Sequence, residues 1–189
     1  MTTAPVLTVD DLHVHYGGSH ILQGVSFEVP ARGVTALLGR NGVGKTTTLK
    51  GILGLAPRQG RIALQGKDIQ RGKTFQLVRG GIGYVPEDRE VFGGLTVDEN
   101  LRLVDEPTKG LAPKLVTEVA DVLARVAETT PILLVEQNLP LVRRIADTVV
   151  VLDAGRVVHR GDATALLADA DLTRELLGVS LRRPREGSG

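Results

Sequence analysis

The sequence predicts a three-layer α/β fold around a largely parallel sheet, in a single domain. Two observations carry this expectation. Short apolar runs alternate with amphipathic segments along most of the chain. One of those runs, Ile132-Leu133-Leu134-Val135, is apolar at every position, as a strand covered on both faces requires. At 189 residues the chain is long enough to bury about 70% of its unfolded surface in one core.

The elements read as follows. Val6–Tyr16 and Gly24–Val29 are expected strands joined by the turn Gly17-Gly18-Ser19. A buried strand over residues 33–38 and a helix over 47–53 come next, then strands over 60–64 and 82–85, the last closed by Pro86. Thr96 and Glu99 form a capping box that opens a helix, and residues 101–104 supply a four-residue strand. Pro113 opens a helix to residue 128, with Leu115, Val116, Val119, Val122, Leu123 and Val126 as its apolar stripe. After the strand at 132–135 come a helix over 139–146 and a hairpin of 149–152 with 156–158 around Asp153-Ala154-Gly155. Helices over 162–168 and 172–177 close the domain. The domain is expected to span 1–180, with the basic stretch 181–189 as a frayed tail.

Bulk properties narrow the function. A net charge of +1 gives no electrostatic case for a nucleic-acid partner. With no cysteine there is neither a disulfide framework nor a thiolate metal site. No apolar run approaches the ~20 residues that cross a bilayer, and Met1–Asp10 lacks a signal-peptide pattern. A soluble protein is expected, with any membrane role reached through a partner.

Gly39-Arg40-Asn41-Gly42-Val43-Gly44-Lys45-Thr46 fits the spacing G-x-x-x-x-G-K-[ST] between an expected strand and an expected helix. Glycines let the backbone curl so that N–H groups converge on phosphate oxygens, and the helix N-terminus adds partial positive charge. The candidate nucleotide contacts are therefore Gly39, Asn41, Gly42, Val43, Gly44, Lys45, Thr46 and Thr47. Lys45 would reach the β- and γ-phosphates, and the Thr46 hydroxyl would ligate Mg²⁺. Further on, Leu103-Val104-Asp105-Glu106-Pro107-Thr108 puts two carboxylates at the end of an apolar strand, the edge where open α/β sheets bind ligands. Asp105 would hold Mg²⁺ through water, and Glu106 would polarise the water attacking the γ-phosphate.

With these motifs the chain resembles the nucleotide-binding subunit of ATP-binding cassette (ABC) transporters over residues 6–179. The resemblance implies a P-loop NTPase fold of ABC type with an N-terminal antiparallel β region, an ATPase activity, and ATP and Mg²⁺ as ligands. It also places Tyr16 as the adenine-stacking aromatic, Gly110-Leu111-Ala112-Pro113 as the D-loop, and Gly155-Arg156-Val157-Val158 with Gly161-Asp162 as the closing hairpin. Glu87 stands where most members carry the Q-loop glutamine, and Gln137 where most carry the switch histidine. These departures look like one of the paired ATPases of branched-chain amino acid importers, with urea and amide importers as close competitors. Gln137 can hydrogen-bond the γ-phosphate or the attacking water but cannot titrate. Glu87 either adds a water-mediated Mg²⁺ contact or caps the loop after Pro86. The implied partners are a sister ATP-binding subunit or a second copy, meeting head to tail, and transmembrane permease subunits at the cytoplasmic face of the membrane.

The family's signature motif, Leu-Ser-Gly-Gly-Gln, is missing, and no Ser-Gly-Gly occurs in the chain. Asn100-Leu101 runs directly into Arg102-Leu103-Val104-Asp105, where the family inserts a helical subdomain of several tens of residues. The junction reads as an excision, by gene deletion, engineering or omission of residues. Two readings of function follow, a transport ATPase and a hydrolysis-deficient nucleotide-binding module. Other phosphate-loop enzymes fit less well, because the guanine-reading Asn-Lys-x-Asp and a kinase lid are both absent. His13 and His15 share a strand face without a third ligand at useful spacing, so a metal pair is not expected. His20 and His159 are expected exposed, and Phe27, Phe75 and Phe92 in packing roles.

Overall fold

The computed structural model describes residues 4–70, 72, 74–79, 82–85 and 102–178. It contains two sheets. Strands β1 (Leu7–Tyr16), β2 (Ser19–Val29), β4 (Arg58–Leu64) and β5 (Lys67–Asp68) form an antiparallel sheet in the order β2-β1-β4-β5. Strands β3 (Val34–Leu38), β6 (Gly83–Val85), β7 (Arg102–Asp105), β8 (Ile132–Val135), β9 (Thr148–Asp153) and β10 (Arg156–Asp162) form the second, in the order β10-β9-β3-β8-β7-β6. All its neighbours are parallel except β10, which returns on β9 as a hairpin. The helices are α1 (Lys45–Leu53), α2 (Thr74–Arg79), α3 (Pro113–Ala127), α4 (Leu139–Ile145), α5 (Ala163–Ala168) and α6 (Ala170–Leu177).

Burial explains the layering. β3 and β8 are buried at every residue, so each face of the parallel sheet needs a cover. Leu37, Leu133 and Val135 join the core shared with α1 and the antiparallel sheet, where Leu12, Leu22, Phe27 and Ile52 are fully enclosed. From the opposite face, Ala36, Leu38 and Val151 pack with α4, α5 and α6. Val34, Ile132 and Leu134 pack on that side with α3 and α4. The expected three layers are therefore present.

Several boundaries differ from expectation for identifiable reasons. β2 begins at Ser19 rather than Gly24, because a two-residue turn pairs Tyr16 with Ser19 and runs the ladder back immediately. Gly24 marks a bulge instead: its φ is +82°, opposite Asp11 at +51°. β10 runs on to Asp162, which also caps α5 through its carboxylate. On α3 the residues facing the sheet are Val116, Ala120, Leu123 and Ala127, spaced by three or four. Leu115 and Val122, expected in that stripe, are 45% and 48% exposed. Phe75, expected to pack, is 55% exposed with the Arg79 guanidinium 5.9 Å from its ring. Phe27 is core as expected, and His159 is half-buried rather than exposed. The capping box at Thr96 and Glu99, Phe92, residues 100 and 101 of the expected 100–103 junction, and the tail lie outside the described residues, while 102 and 103 are in β7.

Arg58 ties the end of α1 to the segment after β5. Its guanidinium donates to the carbonyls of Gly51 and Ile52 at the end of α1 and to those of Ile69 and Gln70 beyond β5. A cation at a helix C-terminus also meets the negative end of the helix dipole. Burial lowers its pKa from the ordinary arginine value, yet the group stays charged. Arg58→Ala leaves these carbonyls without their donor and is expected to cost about 2–3 kcal/mol in urea unfolding. Arg58→Lys, lacking the planar fork, is expected to recover less than half of that loss.

Candidate nucleotide site

Three loops meet at one edge of the parallel sheet, and the strand register puts them there. Val135 pairs with Leu37 on one side and with Asp105 on the other. The loop after β3, the acids at the end of β7 and the segment after β8 therefore leave the sheet at the same level.

The first loop is the glycine-rich one. Gly39, Gly42 and Gly44 have φ of +145°, +82° and +109°. Two of them have no room for a side chain. A Cβ on Gly39 would lie 2.4 Å from the Leu152 carbonyl oxygen, and one on Gly44 would lie 2.6 Å from Leu22 Cδ2. The loop is also tied from outside: Gly155 N–H donates to Val43 O at 3.1 Å, and Gln23 N–H donates to Gly155 O at 2.8 Å. Ala154 and Gly155 are both in the left-handed region, as a two-residue hairpin turn requires. The β1–β2 hairpin end carrying the 44%-exposed Tyr16 thus flanks the loop through β2.

Gly44 is the N-cap of α1 and no side chain caps that helix start, so its first N–H groups are available to an anion. Lys45, buried, donates to the carbonyls of Gly39 and Arg40 at 3.0 Å each, and so lies across the mouth of the loop. Thr46 and Thr47 are half-buried in the first turn, and Asn41 is exposed. Thr48, unremarked in the sequence, returns its hydroxyl to Gly44 O at 2.9 Å and closes the turn.

The second and third loops are fastened to each other. Asp105 is fully buried at the end of β7. Glu106 follows with φ +41°, a left-handed conformation uncommon outside glycine, and its N–H donates to Val135 O at 2.8 Å. Gln137 Nε2 donates to Glu106 Oε1, and Lys109 Nζ lies 3.6 Å from Glu106 Oε2. The structure therefore joins two of the three candidate catalytic residues, Glu106 and Gln137, in one contact. Glu87, the third candidate metal residue beside Thr46 and Asp105, lies outside the described residues.

The residues present suit a magnesium–nucleotide. An uncapped helix start and a side-chain-free glycine cradle fit phosphate, while a hydroxyl and a carboxylate are hard oxygen donors of the kind Mg²⁺ takes beside phosphate oxygens. Three of the four histidines, His13, His15 and His20, form a separate group. His13 Nδ1 lies 3.0 Å from His20 Nε2, His13 Nε2 lies 3.0 Å from Asp11 Oδ1, and His15 stacks on His20. Desolvation, then His15 and His13, lower the His20 pKa. Among the described residues there is no group of three or more His, Cys, Asp or Glu that could hold a metal ion.

Sequence reasoning missed Glu136. It is 3% exposed, and its carboxylate accepts from Thr108 and from the N–H groups of Gln137 and Asn138. A lone acid after an apolar strand gives no signal of this, because one partner lies 28 residues away.

One prediction tests the fastening of the glycine loop. A Cβ on Gly155 would sit 2.1 Å from Ile21 O at φ +74°. Gly155→Ala is therefore expected to lower stability by about 2 kcal/mol or more. Its affinity for inorganic triphosphate should fall as well, measured by calorimetry at a temperature where the variant remains folded.

Comparison with known proteins agrees with the geometry. The ABC transporter family profile matches residues 22–151. The lipopolysaccharide export ATP-binding protein LptB of Haemophilus influenzae is 39% identical over 62% of this chain and 49% of its own length. The branched-chain amino acid transport ATP-binding protein BraG of Pseudomonas aeruginosa is 27% identical over 92% of this chain and 100% of its own. That alignment runs over 233 residues against a chain of 189, so dozens of BraG positions have no counterpart here. Among solved structures, cbiO1 of Clostridium perfringens, part of the transporter complex cbiONQ, superposes with a TM-score of 0.73 at 24% identity, covering 90% of this chain and 94% of that one. In this family the cassette binds ATP with Mg²⁺ and hydrolyses it, working as a dimer beside transmembrane permease subunits. No helix among the described residues is long and apolar enough to cross a membrane. The chain belongs to the ABC transporter family, as an ATP-binding domain.

Proposed function

We propose that this chain binds Mg-ATP at the edge formed by β3, β7 and β8, and that it derives from the ATPase of a branched-chain amino acid importer. The contact between Gln137 and Glu106, on the same sheet edge as Lys45, carries the nucleotide reading. Lys45 and the α1 start would hold the phosphates, Tyr16 would stack on the base, and Thr46 with Asp105 would hold Mg²⁺. The metal, when bound, neutralises charge on the phosphates. Glu106 would orient the attacking water and accept its proton, while Gln137 holds the Glu106 carboxylate and offers a neutral donor to the γ-phosphate. The importer type is supported by Gln137, Glu87 and the likeness to BraG over 92% of this chain. A sister subunit or second copy and the permease would be the partners, at the cytoplasmic face of the membrane.

A second reading is favoured by the missing signature motif and by the BraG positions without counterpart. In it the chain binds nucleotide with little turnover, since in the family the partner's signature motif completes the γ-phosphate site, and a second copy of this chain has no such motif to offer. Calorimetry set beside a turnover assay separates the two. Mg-ATP binding without robust steady-state hydrolysis by the purified chain is the expected result, and robust hydrolysis would refute the second reading. Lys45→Ala is expected to weaken Mg-ATP binding about 100-fold or more. At position 137 the parent has no titrating group, so Gln137→His is expected to introduce a step near pH ~6.5 in Mg-ATP affinity. Superimposable pH profiles of parent and variant would remove residue 137 from the γ-phosphate.

A further inference from the structure

Glu136 joins what the proposed chemistry needs held together. It directly follows β8, and its carboxylate is turned inward. Oε1 accepts from the Thr108 N–H at 3.2 Å and from the Thr108 hydroxyl. Oε2 accepts from the N–H groups of Gln137 at 2.7 Å and Asn138 at 2.9 Å. One oxygen thus holds the turn after Glu106, and the other holds the start of the segment that carries Gln137 into α4. Asn138, held this way, caps α4 by accepting from Leu141 N–H at 3.2 Å. A buried carboxylate with four donors is a short, strong tie, and it spans two loops otherwise linked through Glu106.

We propose that Glu136 is a positioning residue that locks the Thr108 turn to the Gln137 segment, so that Glu106 and Gln137 meet the third phosphate of a bound nucleotide as one unit. The hydrogen bonds of Glu136 run to Thr108, Gln137 and Asn138, so it acts by holding these residues. The proposal rests on the nucleotide-binding reading above, and on the idea that Glu106 and Gln137 sense the γ-phosphate while the glycine loop grips the rest. Its consequence is selective: loosening the tie weakens ATP and spares ADP.

The test is titration calorimetry with Mg-ADP and with the slowly hydrolysed Mg-ATPγS, on the parent chain, Glu136→Gln and Thr108→Val. The amide that replaces the carboxylate keeps one acceptor oxygen, so one of the two loops loses its anchor. Glu136→Gln is expected to bind Mg-ATPγS about tenfold more weakly and Mg-ADP within twofold of the parent. Thr108→Val, which removes the hydroxyl from the other end of the tie, is expected to shift the same ratio in the same direction by a smaller factor. The double variant should be no weaker than Glu136→Gln alone, because both changes cut one connection. Parallel weakening of both nucleotides, or an unchanged ratio in Thr108→Val, would overturn the positioning role and leave Glu136 a purely structural group. If Glu136→Gln does not fold, the Thr108→Val ratio decides. A folded parent that binds neither nucleotide would overturn the nucleotide-binding reading itself, an outcome distinct from a parent that binds both and variants that do not discriminate.

Discussion

The register of three parallel strands is the constraint on which the site depends. Val135 sits level with Leu37 and with Asp105. A shift of β7 by one residue would turn Asp105 to the opposite face and move Glu106 away from Gln137. β3 and β8 are buried on both faces, so no apolar–polar alternation sets this register, and it is held by the ladder hydrogen bonds and by the loops at the strand ends. The hydrogen bond from Glu106 N–H to Val135 O extends that register one step past the sheet, into the loops.

Rigidity at the glycine loop has a different source. Glycines lower the cost of positive φ but also leave a chain free to move. In this fold the freedom is removed from outside, by the Gly155 turn and by Ile21 and Leu22 of β2 pressing on the loop. The antiparallel sheet is therefore a brace for the phosphate loop as well as one wall of the core. Lys45 folded onto the Gly39 and Arg40 carbonyls satisfies its charge locally and lies where an incoming phosphate would compete for it.

Patterned features were legible in the sequence, and features made by long-range geometry were not. The apolar run of β8 and the spaced glycines with Lys45 announce themselves because their physics is local. The stripe of α3 was legible to within one helical line: Val116 and Leu123 face the sheet, whereas Leu115 and Val122, one residue earlier on the helix, turn outward. β5 at Lys67–Asp68 is two charged residues whose strand state comes from pairing with Ala63 and Leu64, and no propensity marks it. Residues 19–23 were hidden behind Gly24, which reads as a break and is a bulge. Lys45, Asp105 and Glu106 were named from motifs and Tyr16 and Gln137 from the family resemblance, whereas Glu136 required the partners that folding brings to it.

In the proposed function, metal and phosphates gather at the C-terminal ends of β3, β7 and β8. Backbone amide relaxation in the presence of ATP, with Mn²⁺ in place of Mg²⁺, tests it most directly. The expected result is broadening centred on the amides of Thr46, Asp105, Glu106 and Gln137, and weaker at the His13–His20 hairpin, which carries Tyr16. Broadening centred on those histidines, or none at any of the four amides, would contradict it.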